Sequence, residues 1–210
     1  MDADRATFAI AALLAALAGY VDAMGFITLG GFFVSFMSGN TTQAGVALVD
    51  GQWHPVLVGA SVVALFVLGV TAGSVLGHLA GRRRRPAVMA LVAVLISVAT
   101  VCSAFGPDQA VIAALTLAMG IENTVFDGSS ASSISLTYVT GTLVKVGRGI
   151  AAALTGGPRW DWLRFAGLWL ALSAGVLAGA ATHRALGLAG LWFAVAVALV
   201  LAGVFARTRN

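Results

Sequence analysis

The stretch GYVDAMGFITLGGFFVSFMSGNTTQAG, Gly19 to Gly45, sets a carboxylate, Asp22, inside an apolar helical run. A glycine-rich break follows, and then five polar or flexible residues, Ser38, Gly39, Asn40, Thr41 and Thr42. Hydrocarbon satisfies no hydrogen bonds, so irregular backbone between lipid-embedded helices persists only where protein or a wet cavity covers it. The stretch therefore reads as a site. A second version, AMGIENTVFDGSSASSISLTYVTGTLVKVG, Ala118 to Gly147, follows roughly 100 residues later, so the chain reads as two halves.

The rest of the composition puts those stretches in a bilayer. Of 210 residues, 60% are hydrophobic and only 10% are charged, and the mean hydropathy is +0.97. Those values belong to an integral membrane protein. The length accommodates about six or seven spans of roughly 20 residues and no separate soluble domain. The net charge of +4 comes from arginines clustered near span ends, where they orient the chain rather than read nucleic acid. One cysteine, Cys102, excludes an intrachain disulfide and a multi-cysteine metal site. The N-terminus MDADRATF lacks the basic region of a cleaved signal peptide, so the first apolar segment is expected to remain.

Apolar segments are expected at about Thr7 to Leu29, from Pro55 to about Ala80, Pro86 to Phe105, Ala110 to Phe126, after Arg164 to about Thr182, and Gly187 to Phe205. The two polar stretches could be full spans or re-entrant hairpins, and charge decides between them. With both re-entrant there are six spans, both termini are inside, and of the twelve Lys and Arg only Arg184 lies outside. With both spanning, fixing Arg82 to Arg85 inside puts seven of the twelve outside. The positive-inside rule selects six spans.

Three spans per half invert the second copy. The expected fold is thus an all-α polytopic membrane protein of six transmembrane helices and two re-entrant helical hairpins, in two inverted-topology repeats, about 6–105 and 108–206. Gly39 in SGN matches Gly141 in TGT, Gly45 matches Gly147, and GVTAG, Gly69 to Gly73, matches GVLAG, Gly175 to Gly179. The acids Asp22 and Glu122 fall at roughly equivalent points. Gly69, Gly73 and Gly77 make a smooth strip suited to close helix packing and offer a route to a homodimer.

In such a fold the two hairpin tips meet near the midplane. The short helices starting near Asn40 and Thr142 would turn their N-terminal ends toward an anion or a carboxylate. The substrate-binding candidates are Ser38, Gly39, Asn40, Thr41, Thr42, Thr140, Gly141 and Thr142. The competing structural role is that these residues only cap their helices and seal the hairpins. Asp22, Glu122 and Asn123 are candidates to bind a coupling proton or sodium ion, since ionisable groups within spans are functional by default; the alternative is a structural acid paired with hairpin backbone, Lys145 or Arg148. Asp127 reads as interfacial. His54, His78 and His183 form no metal-ligand spacing, and Trp53, Trp160 and Trp162 read as belt anchors. No catalytic residue, metal or cofactor is expected, and an intramembrane hydrolase lacks a Ser/His/Asp set.

At GYVDAMGF, SFMSGNTT, AMGIEN and VTGTL the chain resembles the YoaK-like family of small bacterial membrane proteins, nearly end to end. The family usually has Met-Thr where this chain has Met37-Ser38, and commonly has glutamine where it has Glu122, which favours Asp22 as the coupling acid. The resemblance implies a multi-pass protein of the bacterial inner membrane with small-molecule transport as its expected activity. The partners are then the lipid bilayer and a small solute or ion, not nucleic acid. The competing class is a non-transporting scaffold or assembly protein whose hairpins merely close the fold.

Overall fold

The computed structural model describes residues 2–106, 108–127 and 139–208, with the side chains of 2–5 and 139 outside that description. Among the described residues there are eight α-helices and no strand: α1 (Asp2–Thr28), α2 (Met37–Val49), α3 (Trp53–Ala80), α4 (Arg84–Phe105), α5 (Asp108–Glu122), α6 (Val139–Leu154), α7 (Trp162–Leu186) and α8 (Leu191–Arg207). Short 3-10 turns, Gly81–Arg83 and Gly187–Gly190, join α3 to α4 and α7 to α8. The runs Ala6–Thr28, Trp53–Phe105 and Trp162–Arg207 are long and apolar enough to cross a membrane. Helices α2, α5 and α6 have only 13, 15 and 16 residues, or about 20, 23 and 24 Å at 1.5 Å per residue, against a hydrocarbon core of about 30 Å; α5 is continued by turns through 123–127.

The helix boundaries follow from local chemistry. Pro55 falls in the first turn of α3 and Pro86 in that of α4, where a missing N–H costs nothing. Helix α1 ends because Gly30 turns left-handed at φ 61°, letting the Gly31 N–H reach back to the Phe26 carbonyl at 3.0 Å. Helix α5 stops at Glu122, short of the expected Phe126. There Asn123 Nδ2 donates to the Met119 carbonyl and Thr124 Oγ1 to the Ile121 carbonyl, and such side-chain bonds compete with continuation of the helix.

The helices pair across the chain. Helix α1 lies along α7, α3 along α5, and α4 between α5 and α8; α2 rests on α3 and α6 on α7. Their shared core holds Leu14, Val21, Met24, Met89, Ile96, Leu115, Met119 and Leu191, all fully buried. The outward faces are also apolar: Leu79 of α3 is 77% and Leu177 of α7 72% exposed. Apolar surface on both sides of a helix is what lipid requires and water forbids.

Lipid supplies no hydrophobic drive between helices, so their association rests on close packing over small residues. A methyl group added to Gly19 of α1 would strike the backbone of Leu172 and Val176 on α7; one on Gly175 or Gly179 would strike that of Ala16 or Tyr20. On the other side of the molecule, Gly120 of α5 meets Phe66 and Val70 of α3, and Gly69 and Gly73 meet Leu117 and Ile121. The α3 glycine strip is therefore buried within the chain and is not an exposed dimer surface. Gly77, the third of the strip, makes room for a side chain instead of a helix, since Arg84 lies over it.

Candidate functional site

The loop between α1 and α2 enters from a helix end and leaves into another, with backbone groups that neither helix satisfies. Three side chains satisfy five of them. Val34 N–H and Ser35 N–H both donate to Asp22 Oδ1, at 2.9 and 2.8 Å. Phe33 N–H donates to Asn40 Oδ1 at 2.8 Å, and Asn40 Nδ2 donates to the Phe33 carbonyl at 2.7 Å. Gln43 Nε2 donates to the Gly31 carbonyl at 2.9 Å. Around this frame the rings of Phe26, Phe33 and Phe36 pack in sequence, with centroids 4.7 and 5.3 Å apart. Gly39 lies under Phe33 and Phe36, where a side chain would collide with the rings.

Asp22 and Asn40 thus spend their hydrogen bonds on their own loop. Asn40 is completely buried, and it sits inside the first turn of α2 rather than at its start, because its own N–H bonds to the Phe36 carbonyl at 3.3 Å. Helix α2 begins at Met37 and α6 at Val139, each three residues earlier than expected. Ser38, Thr41 and Thr42 are exposed on α2; Thr41 and Thr42 donate back to the Met37 and Ser38 carbonyls. Thr140, Gly141 and Thr142 lie in the first turn of α6, the threonine at 140 exposed and the other two half-buried. Among the described residues α2 and α6 share no extensive contact, and the approach to the expected second hairpin, 128–138, lies outside them.

Glu122 is one of three polar residues, with Asn40 and Thr116, that are wholly removed from solvent among the described residues. It is fully buried, and neither carboxylate oxygen has a hydrogen-bond partner among the described residues. The alternative of a structural pairing with Lys145 or Arg148 is not made at Glu122; Lys145 stands over the Phe165 ring, 5.3 Å from its centroid. Asn123, next in sequence, is half-buried and turns its amide to Met119. Asp127 forms an ion pair with Arg84 at 2.8 Å, supported by Ser74 at 3.2 Å.

Two site residues were not singled out by sequence. Gln43 stands one turn after Asn40 on the same face of α2, and that i, i+3 spacing of two amides beside a glycine break was the available signal. Arg84 was counted only as an orienting charge; its partners Asp127 and the Thr124 carbonyl come from a distant segment, and nothing local announces them.

The described residues form a helical membrane protein in which the loop between α1 and α2 is held by an acid and two amides. The chain belongs to the family described as Protein of unknown function (DUF1275), which matches residues 10–204. It is 36% identical over 198 residues to the UPF0700 transmembrane protein RA0705 of Rhizobium meliloti (strain 1021), covering 94% of this chain and 85% of that one. It is 32% identical over 151 residues to the UPF0700 transmembrane protein YoaK of Bacillus subtilis (strain 168), covering 68% of this chain and 66% of that one. The YoaK-like resemblance of the motifs is thereby borne out. No solved structure matches.

Proposed function

We propose that the chain is a permease for a small polar or anionic solute, built from two inverted halves, 6–105 and 108–206. The observation that carries the proposal is an exchange of packing partners. The first helix of each half lies on the third helix of the other, and the contacts correspond residue by residue: Gly19 against Leu172 and Val176, Gly120 against Phe66 and Val70; Gly175 against Ala16, Gly69 against Leu117. The third and fourth helices of each half are joined at a left-handed glycine, Gly81 at φ 52° and Gly187 at φ 59°. Repeats interlocked about a two-fold axis in the membrane plane are a recurring transporter construction.

In this arrangement α1, α3, α4, α7 and α8 span, α5 spans together with the turns that continue it to Asp127, and α2 and α6 re-enter from opposite faces. Both termini and every Lys and Arg except Arg184 lie on the cytoplasmic side of the bacterial inner membrane. The solute is met by the hydroxyls of Ser38, Thr41 and Thr42 and by the Thr140-Gly141-Thr142 turn. Asp22, Asn40 and Gln43 hold the frame. One half rocks against the other, with a proton or sodium ion as the coupling ion and no chemical turnover.

The test is thermal stability of the purified protein against a panel of small anions, amino acids, nucleobases and sugars. Ser38→Ala and Thr41→Ala are the variants to use, because their hydroxyls are exposed and their loss leaves the frame intact. Stabilisation by one solute class, lost in these variants, supports the permease. A panel without any shift supports the second reading, a scaffold whose hairpins only close the fold. The full commitment of Asn40 and Asp22 Oδ1 to loop backbone is the observation that favours it.

A further inference from the structure

On the reading of a coupled permease, the geometry points to Glu122 as the residue that binds the coupling ion, and to a proton as that ion. Matching the glycines that make equivalent contacts, Gly19 with Gly120, moves the register one residue from an acid-to-acid match. Asp22 then corresponds to Asn123, and Glu122 to Val21. The two faces agree throughout: Leu14, Ala18, Val21 and Met24 of α1 and Leu115, Met119, Glu122 and Val125 are all fully buried. Glu122 is thus a carboxyl group at a position that its counterpart fills with a hydrocarbon side chain.

Neither Glu122 oxygen has a partner among the described residues, and an isolated carboxylate in apolar surroundings is untenable unless it is neutralised. The charged or titratable groups on the helices packed against α5 do not neutralise it. Asp22 of α1 is engaged by Val34 and Ser35, and Tyr20 by the Gly190 carbonyl. Arg84 of α4 is engaged by Asp127, and Arg85 lies over the rings of Phe126 and Phe205. His54 and His78 of α3 and Cys102 of α4 make no hydrogen bond to it.

A metal cation is a poor fit. Hard cations gather about six oxygens, whereas Ala118 and Met119 in the last turn of α5 and Val125 and Phe126 in the turn after it offer none in their side chains. The unpartnered hydroxyl of Thr116 starts six residues earlier, about 9 Å away along the helix axis. A proton needs no cage. In this conformation Glu122 is the neutral acid, and it releases its proton to water when the halves move apart and water reaches it.

The experiment is infrared spectroscopy of the wild-type protein in lipid at neutral pH, without solute. A carbonyl band of a protonated carboxylic acid is expected, shifted by deuterium exchange, retained in Asp22→Asn, lost in Glu122→Gln and displaced in Glu122→Asp. A wild-type spectrum without that band, or a band unchanged in Glu122→Gln, overturns the inference. The wild-type measurement decides the first outcome even if a variant fails to fold. The inference rests on the permease reading for its purpose, but the band is read without solute, so its absence and a failed solute panel are separate results.

Discussion

Asn40 and Phe33 are joined twice, by the Phe33 N–H on Asn40 Oδ1 at 2.8 Å and by Asn40 Nδ2 on the Phe33 carbonyl at 2.7 Å. A side-chain amide here completes the ladder that a neighbouring strand would supply in a sheet. Asn40→Ala leaves a donor and an acceptor of the half-buried Phe33 without partners, which costs about 1–3 kcal/mol. The melting temperature in detergent should fall clearly, with or without solute. Unchanged melting would mean that the loop finds other partners.

Asp22 differs from Asn40 in using one oxygen for two donors, Val34 N–H and Ser35 N–H. Asp22→Asn keeps an oxygen there and loses only the charge assistance of the bonds, about 1 kcal/mol. Asp22→Ala abandons both donors and should cost about 2–4 kcal/mol. Hydrogen exchange reads this directly: the amides of Val34 and Ser35 stay protected in Asp22→Asn and lose protection in Asp22→Ala. Equal loss in both variants would show that the charge itself holds the loop.

The glycines divide into two sets with opposite expectations. Gly73→Leu and Gly175→Leu force side chains into the backbones of α5 and α1 and should abolish the monodisperse folded protein, whatever its oligomeric state. Gly45 has open space around it, so Gly45→Ala should raise helix stability by about 0.5–1 kcal/mol. Size-exclusion profiles and melting of the three variants check the division. A selective loss of dimers with intact monomers in Gly73→Leu would place the strip on the outside.

The long apolar runs, their breaks and the glycines at four-residue spacing were legible because each is a local pattern with a local cause. What covers the glycine strip was not, since a smooth helical face looks the same whether a second copy or α5 lies against it. Asp22 and Glu122 were paired by chemical likeness, whereas the close approaches lie at Gly19, pressed against the backbone of α7, and Gly120, pressed against that of α3, and a sequence does not show which helix a glycine meets. The direction of the Asn40 amide was hidden for a similar reason. Its partner Phe33 returns only through the reversal at Gly30 and Gly31, and a sequence shows the polar group without showing where the chain brings its backbone back.

Gly77 and Arg84 form a linked pair that the same reasoning turns into a test. The guanidinium and stem of Arg84 occupy the space above Gly77, where an added methyl would sit 2.8 Å from Nε and 2.9 Å from Cγ. That placement lets Arg84 reach Asp127 at 2.8 Å and the Thr124 carbonyl at 3.2 Å, tying the start of α4 to the turn after α5. The pair is partly exposed, 21% for Arg84 and 46% for Asp127, so its strength is about 0.5–1 kcal/mol and is weakened by salt. Gly77→Ala gains helix propensity of similar size, and its total stability is therefore uninformative. The coupling is informative: Asp127→Asn should cost about 0.5–1 kcal/mol in the parent and close to nothing in the Gly77→Ala background, because Arg84 has already been displaced. Chemical denaturation of the four proteins at low salt measures it. Equal costs in both backgrounds would show that Arg84 reaches Asp127 by a route that does not cross Gly77.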